Sequence, residues 1–375
     1  MKPYRVLHFP GEMTRGGVEN LIMSWYRNMD RDSIQFDFCV PRFDRGPLDD
    51  EIESLGGHIL RCHRIREKGA LTYISEITSI IKNNGPYDAV HIHGVHSGVF
   101  SLIASKKAGI TKRIYHVHST QNLAFRHLRF RKVIEWFFSF LINRFATVRL
   151  ACSVPAGEFV FKSKHFILIR NGIDLNRFFP VPIEIKRQMK LSLGLPDNAI
   201  IIGNIARFVE GKNQEFLVKV IEEIIGRNPF VYGLLVGEGP NKNKLEKWCH
   251  AHSIYNRIVF TGHRSDTEKL YNCMDVFCLP SDFEGLGIVA IEAQACGIPC
   301  LVSDGVPDEA NMNCVPFVKM SLSDSIKKWA EEIEVLVNKP KVDGSVIKES
   351  ILKNGYSFSQ SLQEIMEIYL HNLAY

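Results

Sequence analysis

From Tyr4 onward, short runs of β-branched, aromatic and aliphatic residues alternate with longer segments whose apolar positions recur at helical spacing. Strands that alternate with helices in this way build parallel sheets covered by helices. In the first half, Tyr4–Phe9, Ile34–Val40, His58–Cys62, Asp88–His93, Arg113–His118, Thr147–Cys152 and Phe166–Ile169 read as strands. Between Arg170 and Asp197 the period is lost and Pro180, Pro182 and Pro196 appear, as in a connection between domains. A second series follows, with Ile200–Ala206, Val231–Val236, Arg257–Thr261, Asp275–Leu279 and Pro299–Ser303 as strands. Within it, Asn213–Gly226 places Phe216, Leu217, Val220, Ile221, Ile224 and Ile225 on one helical face. The pattern predicts an α/β chain: a domain over 1–175, a linker over 176–197, a second domain over 198–355 and a helix in 356–375. That helix, spaced at Leu362, Ile365, Met366, Tyr369 and Leu373, can pack back on the first domain, although its period does not say where it docks.

Length fits this division, because 375 residues exceed what a single core usually serves. With 45% hydrophobic and 23% charged residues and no repeat, either half can bury a core. The net charge of +5 is too mild to argue for nucleic acid. The N-terminal residues lack the basic-apolar-small order of an export signal, and no apolar run reaches the ~18 residues of a membrane span, so a cytoplasmic protein is expected. Nine cysteines without a CxxC pair indicate neither a disulfide framework nor a zinc site.

Two stretches of the second half carry chemistry. Arg207-Phe208-Val209-Glu210-Gly211-Lys212-Asn213 follows a strand, placing two cations at the carboxyl edge of a sheet, where ligands of open α/β folds bind. Such a pair suits a diphosphate, and it equally suits a solvated turn that caps the next helix. Glu284-Gly285-Leu286-Gly287 then precedes the nearly all-apolar helix Ile288–Cys296, which contains Glu292. A carboxylate there is costly unless something hydrogen-bonds to it: a ribose diol is one partner, an internal ion pair another.

Arg207 and Lys212 followed by Glu284-x7-Glu292 resemble the donor site of GT-B-fold, family 4 glycosyltransferases. Gly16-Gly17-Val18-Glu19, His116-Val117-His118, Asn171-Gly172-Ile173-Asp174, Gly237-Glu238-Gly239 and Phe260-Thr261-Gly262 resemble that family in the expected order, over nearly the whole chain. Gly297–Asp304 and Trp329–Ile333 are similar to the branch of bacterial capsule and exopolysaccharide clusters. The resemblance implies two Rossmann-like domains facing a central cleft, and a retaining, metal-independent transfer from a UDP- or GDP-sugar to a glycan or lipid-linked acceptor. It assigns the donor diphosphate to Arg207 and Lys212, the ribose to Glu292, and the transferred sugar to Glu284 with the backbone of Gly285, Leu286 and Gly287. Gly262 and His263 match the part that meets the base, and Gly16 and Gly17 the loop that faces donor phosphates. His118 resembles the histidine beside the transferring sugar, so that His118, Glu284, Arg207 and Lys212 form the expected catalytic set. His93 and Asn171 fall on the acceptor side. Arg170 stands where the family usually has proline, and Val306-Pro307-Asp308-Glu309 varies a loop near the donor.

Other readings of these features stand beside this one. Gly16 and Gly17 also suit an ordinary helix start, and His116 or His118 a structural histidine. His91, His93 and His96 gather at a strand end, but no Cys or carboxylate completes a metal pattern nearby, so no metal is expected. Asp30-Arg31-Asp32 follows a helix and reads as a solvated turn. Arg126, Arg129, Arg131, Lys132, Arg144 and Arg149 surround the run Trp136–Ile142, which suits either peripheral contact with an anionic membrane or a core helix with basic ends. At the level of function, the rivals are a nucleotide-sugar epimerase or phosphorylase on the same fold and a catalytically silent scaffold. A nicotinamide dehydrogenase fits less well, because Gly11-x4-Gly16-Gly17 is not the G-x-G-x-x-G turn.

Overall fold

The protein is described by a computed structural model that covers residues 2–14, 16–96, 98–119 and 129–371. The chain divides into two compact units, Met1–Asn171 with Ser359–Tyr375, and Gly172–Phe358. In the first, strands β1 (Tyr4–Phe9), β2 (Ile34–Val40), β3 (Ile59–Arg61), β4 (Ala89–His93), β5 (Lys112–Val117), β6 (Val148–Ala151) and β7 (Ile167–Leu168) form one parallel sheet. Its order is β3-β2-β1-β4-β5-β6-β7, so the chain leaves β1 first to one side and then to the other. The second unit repeats the design with β8 (Ile200–Ile205), β9 (Val231–Val236), β10 (Ile258–Gly262), β11 (Val276–Leu279), β12 (Cys300–Ser303) and β13 (Phe317–Met320), in the order β10-β9-β8-β11-β12-β13. The central strands read as near-continuous apolar runs because helices cover both faces, and β11 and β12 are buried throughout.

The C-terminal helix Phe358–Leu370 is part of the first unit. Ile365, Ile368 and Tyr369 are buried, and the Trp25 indole donates to Ser361 Oγ at 3.3 Å. The Lys112 ammonium donates to the carbonyls of Ile368, Tyr369 and His371 at 3.0, 2.8 and 2.9 Å, satisfying acceptors that a helix leaves unpaired at its end. Leu373 lies outside the described residues.

The segment expected to be an aperiodic linker holds a helix, Ile183–Ser192, within the second unit. It has no fully buried residue, which is why no apolar stripe announces it. Lys190 fixes it instead, donating to Ala199 O at 2.6 Å and pairing with Asp275 at 3.3 Å.

The helix Arg131–Phe145 carries apolar residues on two faces. Val133, Trp136, Phe137 and Phe140 recur at i, i+3, i+4 and i+7 and are all exposed, whereas Glu135, Ser139 and Ile142 are buried. Arg131 pairs with Glu135 at 2.7 Å, which makes the buried carboxylate tolerable. Phe138, Leu141, Ile142 and Phe145 of the same helix pack against the core, so the helix has both a core face and an outward apolar stripe. Arg126 falls outside the described residues.

Candidate active site

In the second unit the chain reverses direction across the sheet between β8 and β11, and the loops after these two strands meet there. Such switch points leave a crevice at the carboxyl ends of the strands. Arg207 follows β8 and is exposed, its carbonyl accepting a bond from Gln214 Nε2 at 2.9 Å. Gly211 and Asn213 have φ of +84° and +53°, and these left-handed turns bring Lys212 back toward the loop that follows β11. Asn213 Nδ2 donates to Pro280 O at 2.9 Å and to Asp282 Oδ1 at 2.6 Å, while Asp282 N donates to Gly211 O at 2.8 Å. The two loops are thereby stitched together.

Lys212 Nζ meets Glu284 Oε1 at 2.6 Å, and Ser281 Oγ donates to the same oxygen at 2.6 Å. Neither side chain of the pair is more than 22% exposed, so their attraction is screened less than at an open surface. The helix Ile288–Ala295 begins at Gly287, whose φ of +81° is a conformation in which a Cβ would be strained. Gly285 and Leu286 precede it, with Leu286 buried. In the second turn of this helix, Glu292 Oε2 accepts a hydrogen bond from the Tyr271 hydroxyl at 2.8 Å. Burial pushes the Glu292 carboxyl up to about 7, with the Tyr271 bond opposing that rise. Its partner is thus a phenol rather than the internal ion pair weighed from sequence. Gly262 ends β10 at φ +69°, and His263 beside it is exposed.

In the first unit, Gly16 caps the helix Gly17–Asn28, and a Cβ on Gly16 would stand 2.4 Å from Glu19 Oε2, while Gly17 has open space. His118 follows β5 directly. Its Nε2 lies 3.0 Å from His93 Nδ1, and His93 Nε2 lies 3.1 Å from His8 Nδ1. Sequence spacing tied His93 to His91 and His96. The structure separates His96, which bonds Ser139 Oγ at 3.1 Å, and brings in His8, His116 and His118 from neighbouring strands. His8 was missed because it contributes through register alone: it stands opposite His91, as His93 stands opposite His116. Asn171 ends the first unit, with its Oδ1 shielded and accepting no bond.

Residues 185–350 match the family described as glycosyl transferases group 1, and residues 15–177 match glycosyltransferase family 4. EpsF of Bacillus subtilis (strain 168), named as a glycosyltransferase, is 33% identical over 97% of this chain and 96% of its own length. This chain belongs to the family 4, group 1 glycosyltransferases. The capsular polysaccharide biosynthesis glycosyltransferase CapH of Staphylococcus aureus is 26% identical over 98% of both chains. Among solved structures, Anabaena Alr3699/HepE in complex with UDP and glucose superposes with a TM-score of 0.76 at 18% identity, over 96% of this chain and 98% of that one. The two sheets are accordingly those of the GT-B fold, and the chain is a glycosyltransferase of polysaccharide biosynthesis. Among the described residues, no helix is long and apolar enough to cross a membrane.

Proposed function

We propose that this glycosyltransferase moves a sugar from a UDP- or GDP-linked donor to a glycan or lipid-linked glycan, with retention at the anomeric carbon and without a metal ion in the transfer. The observation that carries this reading is the Lys212–Glu284 pair, braced by Ser281 and flanked by exposed Arg207 at the switch point of the second sheet. An arriving diphosphate gives Lys212 a second anion to hold, and Arg207 closes on it bidentately. Glu284 is then freed to accept bonds from hydroxyls of the transferred sugar, while the two cations stabilise the charge that builds on the departing diphosphate. Glu292 takes the ribose diol, and the main chain at Gly262 and His263 takes the base. The main chain of Gly285, Leu286 and Gly287 completes the grip on the sugar. In the first unit Gly16 and Gly17 serve donor phosphate, His118 the transferring sugar, and His93 and Asn171 the acceptor. A UDP-sugar leads the candidates, since the similar Anabaena protein holds UDP and glucose.

The outward stripe Val133, Trp136, Phe137 and Phe140, with Arg129, Arg131 and Lys132 at its start, supports peripheral contact with an anionic membrane, at the inner face where a lipid-linked acceptor would be met. Thermal shift against a panel of uridine-, guanosine- and adenosine-diphosphate sugars, with magnesium and with chelator, tests the donor assignment. Stabilisation by one nucleotide series, indifferent to chelator and absent in Arg207→Ala and Glu292→Ala, is expected. A folded protein stabilised by none of them would favour the silent scaffold.

A further inference from the structure

On the first sheet, His8, His91 and His93 are buried on β1 and β4, and His118 follows β5 directly. Burial holds these four imidazoles below their usual range, so each stands neutral, with one N–H and one bare lone pair. Three of them form a chain that ends on the C-terminal helix. His118 Nε2 lies 3.0 Å from His93 Nδ1, His93 Nε2 lies 3.1 Å from His8 Nδ1, and His8 Nε2 lies 3.4 Å from the Tyr369 hydroxyl. That hydroxyl also lies 2.6 Å from His91 Nδ1. All of these residues belong to the first unit. The His116 ring, 4.0 Å from that of His118 between centroids, packs against the chain, and its own nitrogens find no partner among the described residues.

A ring with a single proton donates from one nitrogen only, so fixing one link fixes every other, and the chain has two self-consistent orders. Tyr369 decides between them. O–H donors close to about 2.5–3.0 Å, whereas N–H donors to oxygen stop near about 2.7 Å, so the 2.6 Å contact is one in which the phenol donates to His91. The Tyr369 oxygen is then left to accept from His8 Nε2–H across the longer 3.4 Å. His8 Nδ1, now bare, accepts from His93 Nε2–H, and His93 Nδ1 accepts from His118 Nε2–H. Each order strands one N–H among the described residues, at His91 Nε2 here and at His118 Nδ1 in the reverse, so the Tyr369 distances alone choose the direction.

We infer that Tyr369, His8 and His93 are positioning residues that keep the proton of His118 on Nε2, so that its bare Nδ1 accepts a bond from a hydroxyl of the transferred sugar. This rests on the place proposed above for His118 beside that sugar. His118 Nδ1 is shielded and has no partner among the described residues, so its lone pair is not spent within the protein. A neutral acceptor recognises a group that donates: a sugar hydroxyl is held there, and a hydrogen or fluorine in its place is not. Both His93 nitrogens are engaged in the chain, so what His93 does for the glycan acceptor runs through His118 rather than through a direct bond.

Nitrogen NMR of the full chain with isotope-labelled histidine reads which nitrogen of each ring carries the proton, and His118→Gln assigns the His118 signals by their loss. Nε2–H is expected on His118 in wild type. Tyr369→Phe removes the acceptor of His8, and His8→Phe keeps a ring beside Phe36 but takes out the link. An unmet N–H costs more at the buried rings of the chain than at the part-exposed His118, so in both variants the proton should move to His118 Nδ1, with circular dichroism near wild type. A packing defect alone would not move it. With the nucleotide sugar picked out by the thermal-shift panel, kcat/KM should fall about tenfold in both variants, the size of one neutral hydrogen bond, while affinity for the free nucleotide is unchanged. Nδ1–H on His118 in wild type, or a proton unmoved in both variants, overturns the chain. A moved proton with kcat/KM unchanged overturns the sugar contact. Wild type inactive with every nucleotide sugar overturns the transferase reading itself, and the tautomers still test the chain.

Discussion

The two sheets share one topology and put opposite chemistry at their switch points. In the second unit the carboxyl edge carries ions, Lys212 with Glu284 and the open Arg207, all at least partly accessible and the pair mutually satisfied. In the first unit the corresponding region carries buried, uncharged imidazoles, some with idle nitrogens. Formal charge is kept where it can be solvated or paired, since an isolated buried ion costs several kcal/mol. A neutral ring can be buried at much smaller cost and still offer a lone pair. The first edge is therefore suited to hydroxyls, and the second to an anion.

The largest effect that would test this contrast is removal of the cation. Lys212→Ala leaves Glu284 with Ser281 as its remaining close partner and takes one of two charges from the diphosphate. Loss of one such electrostatic donor costs about 10²–10³ in turnover. We expect a fall of that size in kcat/KM for sugar transfer, together with a lower Tm, because Glu284 is left largely buried without its cation. Full activity in Lys212→Ala would break the comparison, since the second edge would then owe nothing to charge.

A smaller effect sharpens it through pH. Glu292 is the one carboxyl of this helix, and its folded value of about 7 stands above the 4.5 of an ordinary glutamate. A raised carboxyl binds its proton more tightly in the folded state, so its contribution is fullest below 4.5 and is lost as pH climbs from 4.5 through about 7. A shift of this size corresponds to an amount on the order of 3 kcal/mol. Urea unfolding of wild type against Glu292→Gln between pH 5 and 8 should show the wild type losing stability relative to the variant as pH rises. Parallel curves would mean that Glu292 is ordinarily ionised and solvated. Nucleotide binding adds a second reading: ribose hydroxyls donate to the ionised carboxylate, so binding near pH 6 should release protons, detectable by calorimetry in buffers of different ionisation enthalpy.

What was legible in the sequence divides along the same line. Arg207, Lys212, Glu284 and Glu292 lie in two short stretches whose spacing within loop and helix places them, and the β-rich runs gave twelve of the strands to within a residue or so at each end. The thirteenth, Phe317–Met320, is a short edge strand with Lys319 among its four residues, and neither length nor alternation marks it. The histidines converge from three strands through register, which no local window contains. Tyr369, some 250 residues beyond the last of them, closes their chain of hydrogen bonds from a helix whose period named a face but not the surface it covers. The apolar run Trp136–Ile142 was legible as well, but not which of its rings face outward, since that depends on what Glu135 and Ser139 meet inside.

The outward stripe gives the smallest expected effect on stability and the cleanest separation of roles. Exposed apolar residues gain little from folding, so Trp136→Ser with Phe140→Ser should change the unfolding free energy by no more than about 0.5 kcal/mol. Their rings stack at 6.3 Å on the outside of the helix, and no buried contact is lost with them. Membrane contact is another matter, because insertion of aromatic side chains into the headgroup region scales with the apolar area buried. Flotation with vesicles of anionic phospholipid should carry the wild type upward and leave the double variant behind, and high salt should weaken the wild type through its Arg129, Arg131 and Lys132. Transfer to a soluble acceptor should be the same in both proteins, because the stripe belongs to a helix that supplies none of the donor-site residues. If the variant instead unfolds, or floats as well as wild type, the exposed face is not a lipid contact. The first unit would then be set apart by its histidines alone.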